Sequence, residues 1–216
     1  MQFLNVSKME STLDCQNQGG HRIVFVGSGS CGKTRIISAL MNHVQNQNTH
    51  DPLPTIGVDI TIKNMDRLGR VHVWELSGSS QFGKLLNGII DNTTSVGVVI
   101  WSPPSTHTRR NGGITDSITQ NQSLIKTLKE NGIPIIHCMS KCDESTDEDR
   151  IFADENGMIK VSAETEEGID ILKHDIYQHC IQKSKTDHAN NSTCNNNAND
   201  DETEACCVLL FSCCCC

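Results

Sequence analysis

Apolar residues in this chain come in short blocks set apart by polar stretches, and the blocks are of two kinds. RIVFVGS (22–28), VGVVIW (96–101) and IPIIHCMS (133–140) are near-continuous apolar runs of strand length, the pattern of strands buried on both faces. IGVDITI (56–62) and VHVWEL (71–76) read as further strands on either side of the turn signal DRLGR, and IKVSA (159–163) as a last short one. Helical spacing runs instead through TRIISALMNHV (34–44), ITDSITQNQSLIKTLKEN (114–131) and GIDILKHDIYQHCIQK (168–183). Buried strands alternating with helices predict an α/β fold, a mostly parallel six-stranded sheet flanked by helices.

The ends of the chain break this pattern. Residues 1–20 are polar and read as a flexible arm, which leaves 21–183 for the folded domain. From 184 to 205 the composition turns to Asn, Asp, Ser and Thr, too poor in apolar surface to order itself, so a disordered tether is expected there. Residues 206–216 hold six of the 12 cysteines, and the other six are scattered, which is no disulfide framework. The net charge of −8 speaks against a nucleic-acid backbone as partner. The first 20 residues lack the basic-then-apolar pattern of a signal peptide, and no apolar run approaches about 18 residues. The expectation is a protein of the reducing cytosol.

Candidate chemistry starts between the first strand and the first helix. Gly27-Ser28-Gly29-Ser30-Cys31-Gly32-Lys33-Thr34 fits the eight-position phosphate loop. Glycines let backbone N–H groups turn inward around phosphate oxygens, and the helix that follows aims its positive end at the same place. Lys33 reaches terminal phosphates, and Thr34 offers a hydroxyl to Mg²⁺. Cys31, inside the loop, reads as packing before redox sensing, since nothing here lowers its thiol pKa.

A second motif reads the base. In SKCD (140–143), Asp143 accepts from the two adjacent donors on guanine, whereas adenine would leave it unpaired. The stem of Lys141 lies along the base. In VSAET (161–165), a backbone N–H is placed for the guanine O6.

In order, GSGSCGKT, PTIGVDI, WELSG, SKCD and SAE resemble the Ras-like small GTPases, over about three-quarters of the chain, and PTIGVDI with WELSG is similar to the Rab signatures. The resemblance implies a P-loop NTPase fold with GTP/GDP and Mg²⁺. It implies that the nucleotide contacts are Gly27, Ser28, Gly29, Ser30, Cys31, Gly32, Lys33, Thr34, Thr55, Gly78, Ser140, Lys141, Asp143, Ser162, Ala163 and Glu164. It further implies that Thr34 and Thr55 approach the metal, with Glu75 acting through water. Effectors, exchange factors and GTPase-activating proteins are the implied partners of a monomer. Arf-type proteins also carry PTIG, but they need a glycine after the initiator Met, where this chain has Gln2.

Three departures stand out. Glu75 replaces the family's usual Asp, Ser140 its usual Asn and Glu164 its usual Lys. The stretch from 140 to 162 is short, which trims a peripheral helix. More consequential is Ser79, at the position of the catalytic glutamine. Catalysis in this family is positioning plus electrostatics. Serine is too short to orient a water, so no residue is assigned as catalytic beyond Ser79 itself and the nearby Gln81. Slow hydrolysis follows, or a scaffold that does not cycle nucleotide.

The chain ends ACCVLLFSCCCC. Cys215-Cys216 resembles the doubly geranylgeranylated end of Rabs, and Cys206, Cys207, Cys213 and Cys214 are candidates for palmitoylation. The preceding tether is acidic and adds no attraction to an anionic leaflet, so at least two lipids are needed. A metal-thiolate pair at Cys213 and Cys216 is the competing reading. The expectation is a Rab-like switch in vesicle traffic, on the cytoplasmic face of an intracellular membrane with a cytosolic pool.

Overall fold

The computed structural model describes residues 20–41, 53–65, 68–103 and 114–195. Among these, six strands and five helices follow one another in an α/β order. The strands are β1 (His21–Gly27), β2 (Val58–Met65), β3 (Gly69–Leu76), β4 (Thr94–Trp101), β5 (Ile135–Met139) and β6 (Ile159–Lys160). The helices are α1 (Lys33–Leu40), α2 (Leu86–Ile89), α3 (Ile114–Glu130), α4 (Asp147–Glu155) and α5 (Ile169–Asn195), with 3₁₀ turns at Ser80–Leu85 and Cys142–Glu144.

All six strands form one sheet in the order β2-β3-β1-β4-β5-β6. Only β2 runs antiparallel to its neighbour, with Val58 opposite Leu76 and Ile60 opposite Trp74. The other four pairings are parallel. β1 and β4 are buried along almost their whole length, as their unbroken apolar runs require, whereas β2 alternates as an edge strand does.

Each face of the sheet has its own core. On one, Ile23, Phe25, Val73, Val98 and Ile100 pack against Ile36, Ile37 and Leu40 of α1 and Leu172, Ile176 and Cys180 of α5. On the other, Val24, Val26, Trp74, Leu76 and Val99 pack against Leu86 and Ile89 of α2 and Leu124 and Leu128 of α3. Positions 169, 172, 176 and 180 of α5 are buried at helical spacing, the stripe expected of a helix lying on a sheet.

Two elements differ from expectation. β6 pairs only at Ile159 and Lys160, because the chain turns away at Ser162, whose N–H donates to the Glu167 carbonyl (2.9 Å). The second concerns the tether. The chain divides into two compact units at Lys183/Ser184, yet the backbone stays helical as far as Asn195. Residues 184–195 carry neither Gly nor Pro, and extending a helix already nucleated upstream costs little per residue. Low apolar content was the reason to expect disorder, and it does not by itself stop a helix. The rest of the tether, the arm before Gly20 and the Cys-rich tail with Cys215 and Cys216 lie outside the described residues.

Candidate functional site

Every loop carrying an expected site residue leaves the sheet at one end. These are the loops after β1, β3, β5 and β6 at the carboxyl ends of parallel strands, and the segment that enters antiparallel β2. The order reverses about β1, and a crevice at such a point is where open α/β sheets bind ligands.

The phosphate loop joins β1 to α1. Gly32 sits at φ 90° and caps α1, and Ser30 also has positive φ (58°). Left-handed residues of this kind let successive N–H groups face one concavity. Helix α1 starts with no side-chain cap and no acidic residue in its first turn. Gly32 has no side chain with which to cap the first amides, which suits an anion there. Lys33 is buried, and its ammonium donates to the carbonyls of Gly27 (3.0 Å) and Ser28 (2.9 Å) and lies 3.6 Å from Cys31 Sγ. The loop thus folds over its own cation. The Ser28 hydroxyl, also buried, has no partner among the described residues.

Three oxygen donors converge beside it. Thr34 Oγ1 donates to Glu75 Oε1 at 2.7 Å, Thr55 Oγ1 donates to the same oxygen at 3.1 Å, and the two hydroxyls lie 3.5 Å apart. Glu75 is 4% exposed and faces no cationic side chain among the described residues. A buried carboxylate without a countercharge is costly, and hard oxygen donors are what Mg²⁺ selects. The residues present fit that ion, which when bound supplies charge neutralisation at phosphates. The expected metal set of Thr34, Thr55 and Glu75 is brought together, and the longer Glu is accommodated because its carboxylate reaches both hydroxyls directly.

The base-reading loops lie together at the same end. Ser140 is buried and tied to β4, its N–H (2.8 Å) and Oγ (3.0 Å) both donating to the Trp101 carbonyl. A Cβ on Gly32 would lie 3.9 Å from Ser140 Cβ, so this loop borders the phosphate loop. Lys141 adopts φ 53°, unusual for a residue with a Cβ, and Asp143 is exposed with no hydrogen-bond partner among the described residues. Burial, together with Glu167, pushes the Cys142 thiol between them up to about 11, which keeps it neutral. Ser162 Oγ accepts from the N–H groups of Glu164 (3.2 Å) and Thr165 (3.1 Å). The Ala163 amide is left without an acceptor among the described residues. The exposed Glu164 carboxylate meets Arg35 of α1 at 3.9 Å.

The segment after β3 closes the site. Gly78 rests on the phosphate loop: a Cβ there would fall 2.5 Å from Gly29 Cα and from the Ser28 carbonyl carbon. Only glycine permits that approach. Ser79 and Gln81 are both exposed, Ser79 immediately before the 3₁₀ turn and Gln81 within it. Sequence reasoning passed over Ser77. Its N–H donates to the Gly57 carbonyl (2.8 Å), and its Oγ donates to the Thr55 carbonyl (2.7 Å). No spacing rule singles out a serine between a strand and a glycine. Trp74 is 4% exposed, and the Arg22 guanidinium lies over it, 4.5 Å from the indole ring centre.

A strand–phosphate loop–helix unit, a hydroxyl–carboxylate cluster whose donors suit Mg²⁺, and two further loops gathered at the same end have the layout of a Ras-like P-loop GTPase domain. The family model described as Roc, "Ras of Complex, Roc, domain of DAPkinase", matches residues 22–143, more than half of the 216-residue chain. The chain belongs to that family and contains a small GTPase domain. Ras-like domains bind GTP and GDP, usually with Mg²⁺, and generally act through regulators and effectors. A comparison with curated proteins finds no match to the chain.

Proposed function

We propose that this protein is a guanine-nucleotide switch with slow intrinsic hydrolysis of GTP. The observation that carries the reading is the meeting of Thr34, Thr55 and Glu75 at one carboxylate oxygen beside the folded phosphate loop. Thr34 lies in the first turn of α1 and Thr55 in the segment that enters β2, so the site senses whether both are in place. Asp143, exposed and unpartnered, has its carboxylate available for a base bearing two adjacent donors. Competition binding tests this. Unlabelled GTP and GDP should displace labelled GDP, ATP should not, and Lys33→Ala should weaken both guanine nucleotides. Asp143→Asn should relax the base preference. Equal displacement by ATP from the wild type would sink the assignment.

The finer reading is a Rab-like switch in vesicle traffic, bound to a membrane by lipids on Cys215 and Cys216. Its support is PTIGVDI, WELSG and the terminal cysteine pair. Exchange factors, activating proteins and effectors would be its partners, and the cytoplasmic face of an intracellular membrane its station.

Ser79 and Glu75 together favour a second reading, a scaffold that holds nucleotide without cycling. Single-turnover hydrolysis separates the two. Measurable turnover stimulated by an activating partner supports the switch, and none under any condition supports the scaffold.

A further inference from the structure

Ser77 stands where three segments of the site meet. It lies just past the last β2–β3 pair, Val58 opposite Leu76, so the sheet ladder has already ended. Beyond that point its backbone N–H donates to the Gly57 carbonyl (2.8 Å), and its hydroxyl donates to the Thr55 carbonyl (2.7 Å). The same hydroxyl oxygen accepts from the Ser79 N–H at 3.4 Å. One hydroxyl has one proton and room for acceptance, and this one uses both. The residue between, Gly78, presses on Ser28 and Gly29. Thr55, held by its carbonyl, turns its own hydroxyl onto Glu75 (3.1 Å).

We propose that Ser77 is a positioning residue, a clasp that makes the Thr55 segment and the Gly78–Ser79 segment move as one unit. The clasp would act on the metal site only through Thr55, since Ser77 itself does not reach Glu75. Without the hydroxyl, the Thr55 carbonyl and the Ser79 amide lose their shared partner. Thr55 is then free to leave Glu75 while Thr34 stays. The consequence for ligand binding rests on the guanine-nucleotide reading, but the clasp itself rests on the protein's own bonds. Threonine keeps the hydroxyl and should preserve the device, whereas alanine removes it.

Hydrogen exchange of the full-length, nucleotide-free protein tests the clasp directly. In Ser77→Ala, amides of residues 55–60 should exchange about threefold to tenfold faster, the worth of one hydrogen bond. Those of β1 should not change, and Ser77→Thr should match the wild type. Ser77→Cys, which keeps the shape and weakens the bond, repeats the comparison in case alanine loosens the core. Wild-type exchange at 55–60 in both the alanine and cysteine variants overturns the clasp. A second arm follows GDP release with Mg²⁺ and with a chelator. The factor by which Mg²⁺ slows release should shrink in Ser77→Ala, also about threefold to tenfold, with release in chelator unchanged. An unchanged factor overturns the link from Ser77 through Thr55 to the metal. A wild type that holds no GDP refutes the nucleotide reading alone, and the exchange comparison still decides the clasp.

Discussion

Ser79 stands where the resemblance to Ras-like GTPases puts the catalytic glutamine. It is exposed, extended at φ −83° and ψ 131°, and tethered at its amide rather than through its side chain. A serine hydroxyl ends one atom beyond Cβ and falls short of where a glutamine amide orients a water. Intrinsic hydrolysis is therefore expected at or below about 10⁻⁴ per second, the slow range for Ras-like proteins. Ser79→Gln should raise single-turnover hydrolysis, most visibly with an activating protein that supplies an arginine. Glu75→Asp, made on top of it, should increase the gain more than additively, because both positions connect to Thr55, Glu75 through the Thr55 hydroxyl and Ser79 through Ser77. If Ser79→Gln changes nothing while the wild type already hydrolyses fast, Gln81 becomes the residue to mutate.

Helix α4 is an element that the sequence pattern did not reveal. Its nine residues, DEDRIFADE, are mostly acidic and too few to show a stripe, and the short 140–162 stretch predicted only a trimmed helix. The readable signal was Thr146-x-x-Asp149. The Asp149 N–H donates to Thr146 Oγ1, and the Thr146 N–H donates to the Asp149 carboxylate (3.0 Å), a full capping box. Three acidic residues in the first turn add a favourable dipole interaction. Thr146→Ala should cost about 1 kcal/mol in denaturant unfolding. The central strands were legible because burial on both faces leaves little room for a polar residue. The turns over Ser80–Leu85 and α2 were not, since glycines interrupt any period there. The phosphate loop and the base-reading loop were legible as motifs, whereas the Ser77 bonds depend on the register of β2 against β3. Two strand histidines give the sheet a pH dependence. Burial lowers the pKa of His137 and of His72, with Lys129 adding to the first and Arg70 and Arg22 to the second. Protonation therefore favours the unfolded chain. Their contribution is whole above the ordinary histidine value of about 6.5 and is lost as pH falls below it. Protonation would also end the acceptor role of His137 toward Trp101 Nε1 (3.3 Å). Thermal melts at pH 7.5 and 5.5 check this: the wild type should lose more Tm on acidification than a His72→Gln/His137→Gln protein.

At the scale of the whole molecule, a net charge of −8 works against an anionic membrane or nucleic-acid surface. No helix among the described residues is long and apolar enough to cross a membrane. If the proposed lipid anchor operates, Cys215→Ser with Cys216→Ser should move the protein from membranes to the soluble fraction, and persistent membrane binding would favour acylation at the upstream cysteines. The fold, the start of α1 without a side-chain cap and the buried Glu75 that has no ion pair among the described residues all converge on one central claim, a guanine nucleotide held with Mg²⁺. The most direct measurement is to purify the full-length protein in Mg²⁺, denature it, and identify what it releases. The expected result is GDP and GTP at close to one nucleotide per chain, lost when Lys33 is replaced by alanine. Release of an adenine nucleotide, or of none from protein shown to be folded, would contradict the account.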